Sequence, residues 1–158
     1  MPSPSRPALL QPALPRSVRW CGAFCTGALL AMAAPLAAKD SLGMFDSWGA
    51  FRDPAQPRCY AIAMAVPSSL RRDYQPYASV GTWPRRQVRN QLHFRLSRAV
   101  GPQAKISLLI GGKRFQLTGG GSDAWAADRR MDAAIVAAMR AAGGMVISAR
   151  DTRGNGFS

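Results

Sequence analysis

The stretch Val88 to Ser97, VRNQLHFRLS, constrains this chain more than any other. Val88, Leu92, Phe94 and Leu96 share one parity, while Arg89, Gln91, His93, Arg95 and Ser97 share the other, and only Asn90 is out of step. A helix would scatter such a pattern around its axis, whereas a strand sends alternate side chains to opposite faces. The segment therefore reads as a half-buried antiparallel strand with a basic outer face.

A second signal follows at once. KISLLIGGKRFQLTG reads as a hairpin turning at Gly111-Gly112, where positive φ is required and glycine adopts it without steric cost. Upstream, Phe45 to Arg52 reads as one strand and Arg58 to Val66 as its partner. Tyr60, Ile62 and Met64 lie on one face of that partner, Cys59, Ala61 and Ala63 on the other. Asp53-Pro-Ala-Gln-Pro57 is the turn between them, since Pro fixes φ and Asp can accept from nearby backbone. Pro67 to Pro76 is a loop, and Tyr77 to Trp83 a strand ended by Pro84.

GGGSDAW reads as a flexible connection that presents Trp125 to the core. The period then changes: from Asp128 as N-cap, RRMDAAIVAAMRAA places Met131, Ile135, Ala138, Met139 and Ala142 on one face, and Gly143-Gly144 stops it. MVISAR is a further strand, and Arg153-Gly-Asn-Gly156 a turn after which the chain stops at Ser158 without a returning strand. An unpaired edge of that kind is one that sheets protect, so a C-terminal truncation is expected. About seven strands and one helix, without βαβ alternation, predict a mainly β, antiparallel sandwich-like or curled sheet with the helix near 128–142 closing one side.

The first 38 residues carry Arg6, Arg16 and Arg19, no acidic residue, and the apolar run Cys21 to Ala38. That is the form of a secretory signal, cleaved near residue 33 or 38, which leaves one domain over 39–158. An uncleaved anchor is the alternative, since the apolar run approaches bilayer-spanning length; Pro35 and the Ala-rich end favour cleavage. The mature protein is then expected in the periplasm or outside the cell.

Without the three leader arginines, 18 basic residues face 8 acidic ones, a net charge of +10. Such a balance favours an anionic envelope component, a membrane surface or another protein as partner. Export argues against nucleic acid. Arg85, Arg86, Arg89, Arg95 and His93 are the candidate anion-binding residues, guanidinium groups being suited to bidentate phosphate or carboxylate. A solvated basic face is the alternative.

His93 is the single histidine and has no metal-ligand companions, so neither metal nor cofactor is expected. As a base it would need partners such as Ser97 and Asp123, which makes a periplasmic hydrolase the second reading and a nucleic-acid binder the third. The leader holds the other two cysteines, so Cys59 is either a disulfide partner for a thiol outside the chain or a buried small hydrophobe.

The leader, FDSWGAF, RCYAIA, QLHFRLSR, ISLLIGGKRFQL and DAAIVAAMRAAG, in that order, resemble the invasion-associated locus B family of exported bacterial proteins. The resemblance implies a small, secreted or periplasmic, mainly β domain, linked in some members to host-cell invasion and without established enzymatic activity. It also implies two cysteines, of which Cys59 matches the second, while Phe51-Arg52-Asp53 occupies the stretch of the first.

Overall fold

A computed structural model describes residues 38–158, so the expected leader, apart from Ala38, lies outside the described residues. The described chain is mainly β. Strands β1 (Asp40–Phe45), β2 (Trp48–Asp53), β3 (Arg58–Met64), β4 (Tyr77–Trp83), β5 (Val88–Val100), β6 (Ile106–Ile110), β7 (Lys113–Trp125), β8 (Met145–Arg150) and β9 (Gly156–Phe157) accompany one helix, α1 (Arg129–Arg140). They form one nine-stranded sheet in the order β1-β2-β3-β4-β5-β7-β6-β8-β9, every pairing antiparallel. Among the described residues no helix is long and apolar enough to cross a membrane.

The sheet has two halves that share β7. Its first part, Lys113 to Leu117, pairs with β6. After the glycine run, Gly121 to Ala124 pairs with β5. The GGGSDAW stretch is thus the second half of a strand and not a flexible connection. Glycine is required at the crossing: a Cβ on Gly119 would lie 2.3 Å from the Asp123 carbonyl oxygen, and Gly121 has φ +59°. The Gly111-Gly112 turn is as expected, with φ of 51° and 79°.

The core lies on one face of β4 and β5 and under α1. Leu92, Phe94 and Leu96 of β5 meet Ile106, Leu108 and Ile110 of β6, Leu117 and Ala124 of β7, and Ile135 and Ala138 of α1. The helix begins where the N-cap was expected, the Asp128 carboxylate accepting from Met131 N–H at 2.8 Å. It is docked by a polar contact as well, since Leu92 N–H donates to Asp132 Oδ1 at 2.9 Å in a buried setting.

Four expectations are corrected here. Phe45 to Arg52 is not one strand, because Asp46 takes φ 54° and makes a turn that splits β1 from β2. Val88 does not share the face of Leu92: Trp83 opposes Val88 while Gly81 opposes Gln91, and the extra residue is absorbed at Asn90, φ 54°. Trp125 is 39% exposed and faces away from the core. Finally, the hairpin after β8 does have a returning strand, since Gly156 and Phe157 pair with Arg150 and Ala149 and Phe157 is buried.

That last turn folds the sheet back onto itself. Thr152 N–H donates to the Ala99 carbonyl of β5. Arg98 reaches Asp151 at 3.4 Å, donates to the Arg71 carbonyl at 3.1 Å, and lies over the Phe157 ring. The Asp151 carboxylate also accepts from the backbone N–H of Arg153 and Asn155, both at 2.9 Å. Burial alone would push this carboxyl up, but the Asn155 and Arg153 hydrogen bonds and the Arg98 charge together hold it below its ordinary value of 3.8. A lowered carboxyl stabilises the fold above its unfolded value and loses that contribution as pH falls through its folded value. The Arg153 and Asn155 amides should therefore lose protection, measured against their intrinsic exchange rates, as pH falls below the usual carboxylate range, and Asp151→Asn should flatten that response. An unchanged pH profile by amide exchange in the Asn variant would contradict this role.

Candidate functional site

Pairing register decides which side chains meet on the face opposite the core. Phe51 opposes Tyr60, Tyr60 opposes Gly81, and Gly81 opposes Gln91, giving one line across four strands. Two residues along, Ile62, Ser79 and His93 form a second line, and Met64, Tyr77, Arg95 and Asp123 a third. Adjacent strands are about 4.8 Å apart, so side chains within each line touch.

The rings in these lines lie down on the sheet. A Cβ at Gly81 would meet the Trp83 ring at 2.5 Å, and one at Gly49 would meet the Phe51 ring at 2.8 Å, so each glycine is the bed of an aromatic side chain. Phe51 and Tyr60 stack at 5.4 Å. The Arg58 guanidinium lies 4.6 Å from the Tyr60 centroid and 5.9 Å from that of Trp83, and Lys39 reaches the Tyr60 ring at 6.0 Å. Asp53 is 3.6 Å from Arg58 Nε, too long for a hydrogen bond, and that nitrogen is buried without a partner.

His93 sits in the middle of the same face. Its ring stacks on Trp125 at 5.5 Å and 28°, and meets the edge of Tyr77 at 5.5 Å. His93 Nε2 is 2.7 Å from Asp123 Oδ1. An ionised carboxylate only accepts, so in this contact Nε2 carries the hydrogen. Arg95 Nε lies 3.0 Å from the same oxygen without hydrogen-bond alignment, while Arg95 Nη1 donates to Ser122 Oγ and Ser122 donates to Asp123 Oδ2. Four side chains thus form a closed polar network beside an aromatic surface.

The structure gathers only part of the expected anion-binding set. His93 and Arg95 are together, and Asp123 neutralises Arg95. Arg85 and Arg86 lie in the 3-10 turn Pro84–Arg86 and Arg89 in the bulge that opens β5; all three are exposed and make no ion pair among the described residues. Arg98 is turned inward to Asp151 and belongs to the closure of the sheet. Ser97 does not join His93, because four residues along one strand separate them by about 13 Å. Cys59 is an exposed free thiol in β3, which corrects its reading as a buried hydrophobe. No group of three or more metal-binding side chains exists among the described residues.

On the core side, the sheet leaves a groove of about 760 Å³ between β2 to β5 and the β8–β9 end, lined by Trp48, Val66, Leu70, Leu96, Met145 and Phe157 among others. Apolar side chains dominate it, and Arg72 is at its wall. Fold and site together define a β domain with a grooved core face and an open aromatic and cationic face. No family model, no curated protein and no solved structure matches the chain.

Proposed function

We propose that this is an exported, non-enzymatic protein of the invasion-associated locus B type, held in the periplasm or outside the cell, where its basic surface engages an anionic component of a cell envelope. The observation that carries the reading is the exposed Arg85, Arg86 and Arg89 segment, three guanidinium groups without a partner acid in a chain of net charge +13. Charges left unpaired in water are available to phosphate or carboxylate groups at little desolvation cost. The apolar run at residues 21–38 and the basic residues before it support export.

Vesicles of phosphatidylglycerol test it against vesicles of phosphatidylcholine. Basic residues near an anionic surface contribute about 1 kcal/mol each, so the triple variant Arg85→Gln, Arg86→Gln, Arg89→Gln should bind roughly a hundredfold more weakly at low salt. Raising ionic strength should weaken the wild type in the same direction, since the screening length falls to about 3 Å at 1 M salt. Salt-independent binding, or none, would sink the proposal.

One observation favours a second reading, a hydrolase. His93 and Asp123 are joined at 2.7 Å, an arrangement that orients an imidazole for proton transfer. Replacing His93 by Ala should then abolish turnover of a substrate found by screening; turnover that persists would end this reading.

A further inference from the structure

We infer that the open face of β2 to β5 and β7 is a stacking platform for an acidic polysaccharide of the cell surface. This deepens the envelope-binding reading and rests on it. A sugar ring presents a flat, weakly polar face of C–H groups, and it is held by an aromatic ring that is itself laid flat with one side free. Gly81 provides that posture by receiving the Trp83 ring, and Trp125, at 39% exposure, offers another surface beside His93. Tyr60 and Tyr77 lie on the same face, on the lines of register already described.

The charged groups on this face select the kind of chain. Arg58 is flanked by the Tyr60 and Trp83 rings and makes no hydrogen bond among the described residues. Its nearest acid, Asp53, lies 3.6 Å from Nε, which leaves the terminal nitrogens of the planar fork to take a carboxylate between two stacked sugars. Between Asp73 and Asp123 the chain holds eight basic residues and no acidic one, so the surroundings of the platform attract an anion. The platform itself, however, carries the Asp123 carboxylate, while Asp53 is buried beside Arg58. A carboxylate accepts from the hydroxyl groups of a glycan, and the phosphodiester backbone of single-stranded DNA offers none. Asp123, Ser79 and His93 stand where those hydroxyl groups would lie.

Polygalacturonate, dextran and oligo(dT) serve as the probes, with binding followed by tryptophan fluorescence and calorimetry. Wild type should bind polygalacturonate more tightly than either of the others. Trp125→Ala, which removes an exposed side chain, should weaken polygalacturonate binding about tenfold, the order expected for one aromatic contact. Trp83→Ala should do the same; if it fails to fold by circular dichroism, Trp125→Ala decides alone. Both variants should keep wild-type binding to phosphatidylglycerol vesicles, which the Arg85, Arg86 and Arg89 segment carries. Polygalacturonate binding that is absent, matched by oligo(dT), or unaffected by Trp125→Ala overturns the platform, while vesicle binding reports separately on the envelope reading.

Discussion

Truncating Phe94 to Ala is expected to cost about 3–5 kcal/mol of folding stability, the usual range for a fully buried aromatic side chain. Phe94 has no solvent exposure and sits in the core with Leu92, Leu96, Ile106, Leu108 and Ile135, where β5, β6 and α1 meet. The space left by its ring cannot close, because two β strands and a helix hold its walls apart. For a domain whose total stability is of order 5–15 kcal/mol, a loss of that size brings unfolding near to native conditions. Urea titration followed by circular dichroism measures it as a lowered midpoint at constant slope. Gln91→Ala is the control: Gln91 is exposed on the same strand and should change stability by no more than about 0.5 kcal/mol. A Phe94→Ala loss under about 1 kcal/mol would mean that the core is not built as described.

The second large effect is at Asp132, and it has a pH signature. Asp132→Ala leaves the Leu92 N–H buried without an acceptor, a loss of about 1–3 kcal/mol. Asp132→Asn keeps an oxygen in place and should cost less. Burial pushes the Asp132 carboxyl above its ordinary 3.8, a rise opposed by the Leu92 hydrogen bond and aided by the nearby Asp128 charge. A raised carboxyl keeps its proton in the folded state at pH values where the unfolded chain has lost it. Wild-type stability from this group is thus highest at low pH and declines as pH climbs from 3.8 through the raised folded value. The Asn variant has no proton to lose there, so its stability relative to wild type should improve across that window. Parallel urea midpoints for the two proteins from pH 4 to pH 7 would refute this account of Asp132.

The sequence carried the elements whose signals are local. Gln91 to Ser97 alternates, Gly111-Gly112 needs positive φ, and Asp128 caps a helix of period 3.6; each of these is decided within a few residues, and each formed as read, Val88 alone falling out of step at the Asn90 bulge. What was missed depends on pairing. β1 was invisible because Ser41-Leu42-Gly43-Met44 has no clean alternation, its register being shifted by a bulge between Ser41 and Gly43. Gly119-Gly120-Gly121 looked like a linker because glycine carries no packing signal, although close backbone approach is what a strand crossing between half-sheets needs. The same limit hid the aromatic face. Nothing along the chain says that Phe51, Tyr60 and Gly81 stand in one line, since that is fixed by strand register across 30 residues. His93 and Asp123 were named together from the sequence, yet their network with Arg95 and Ser122 exists only because β7 returns beside β5 after its glycine kink.

Sharing β7 also decides how the domain can come apart. A strand owned by both half-sheets leaves no seam along which one half could open while the other persists, so β4 and β6 belong to one cooperative unit. Such a unit forms only after residues far apart in the chain have met, Arg98 with Asp151 among them, and chains dominated by distant pairings fold slowly. Were the chain exported as proposed, that slowness would be an asset: a polypeptide that folds late is one that can still be threaded through a translocation channel.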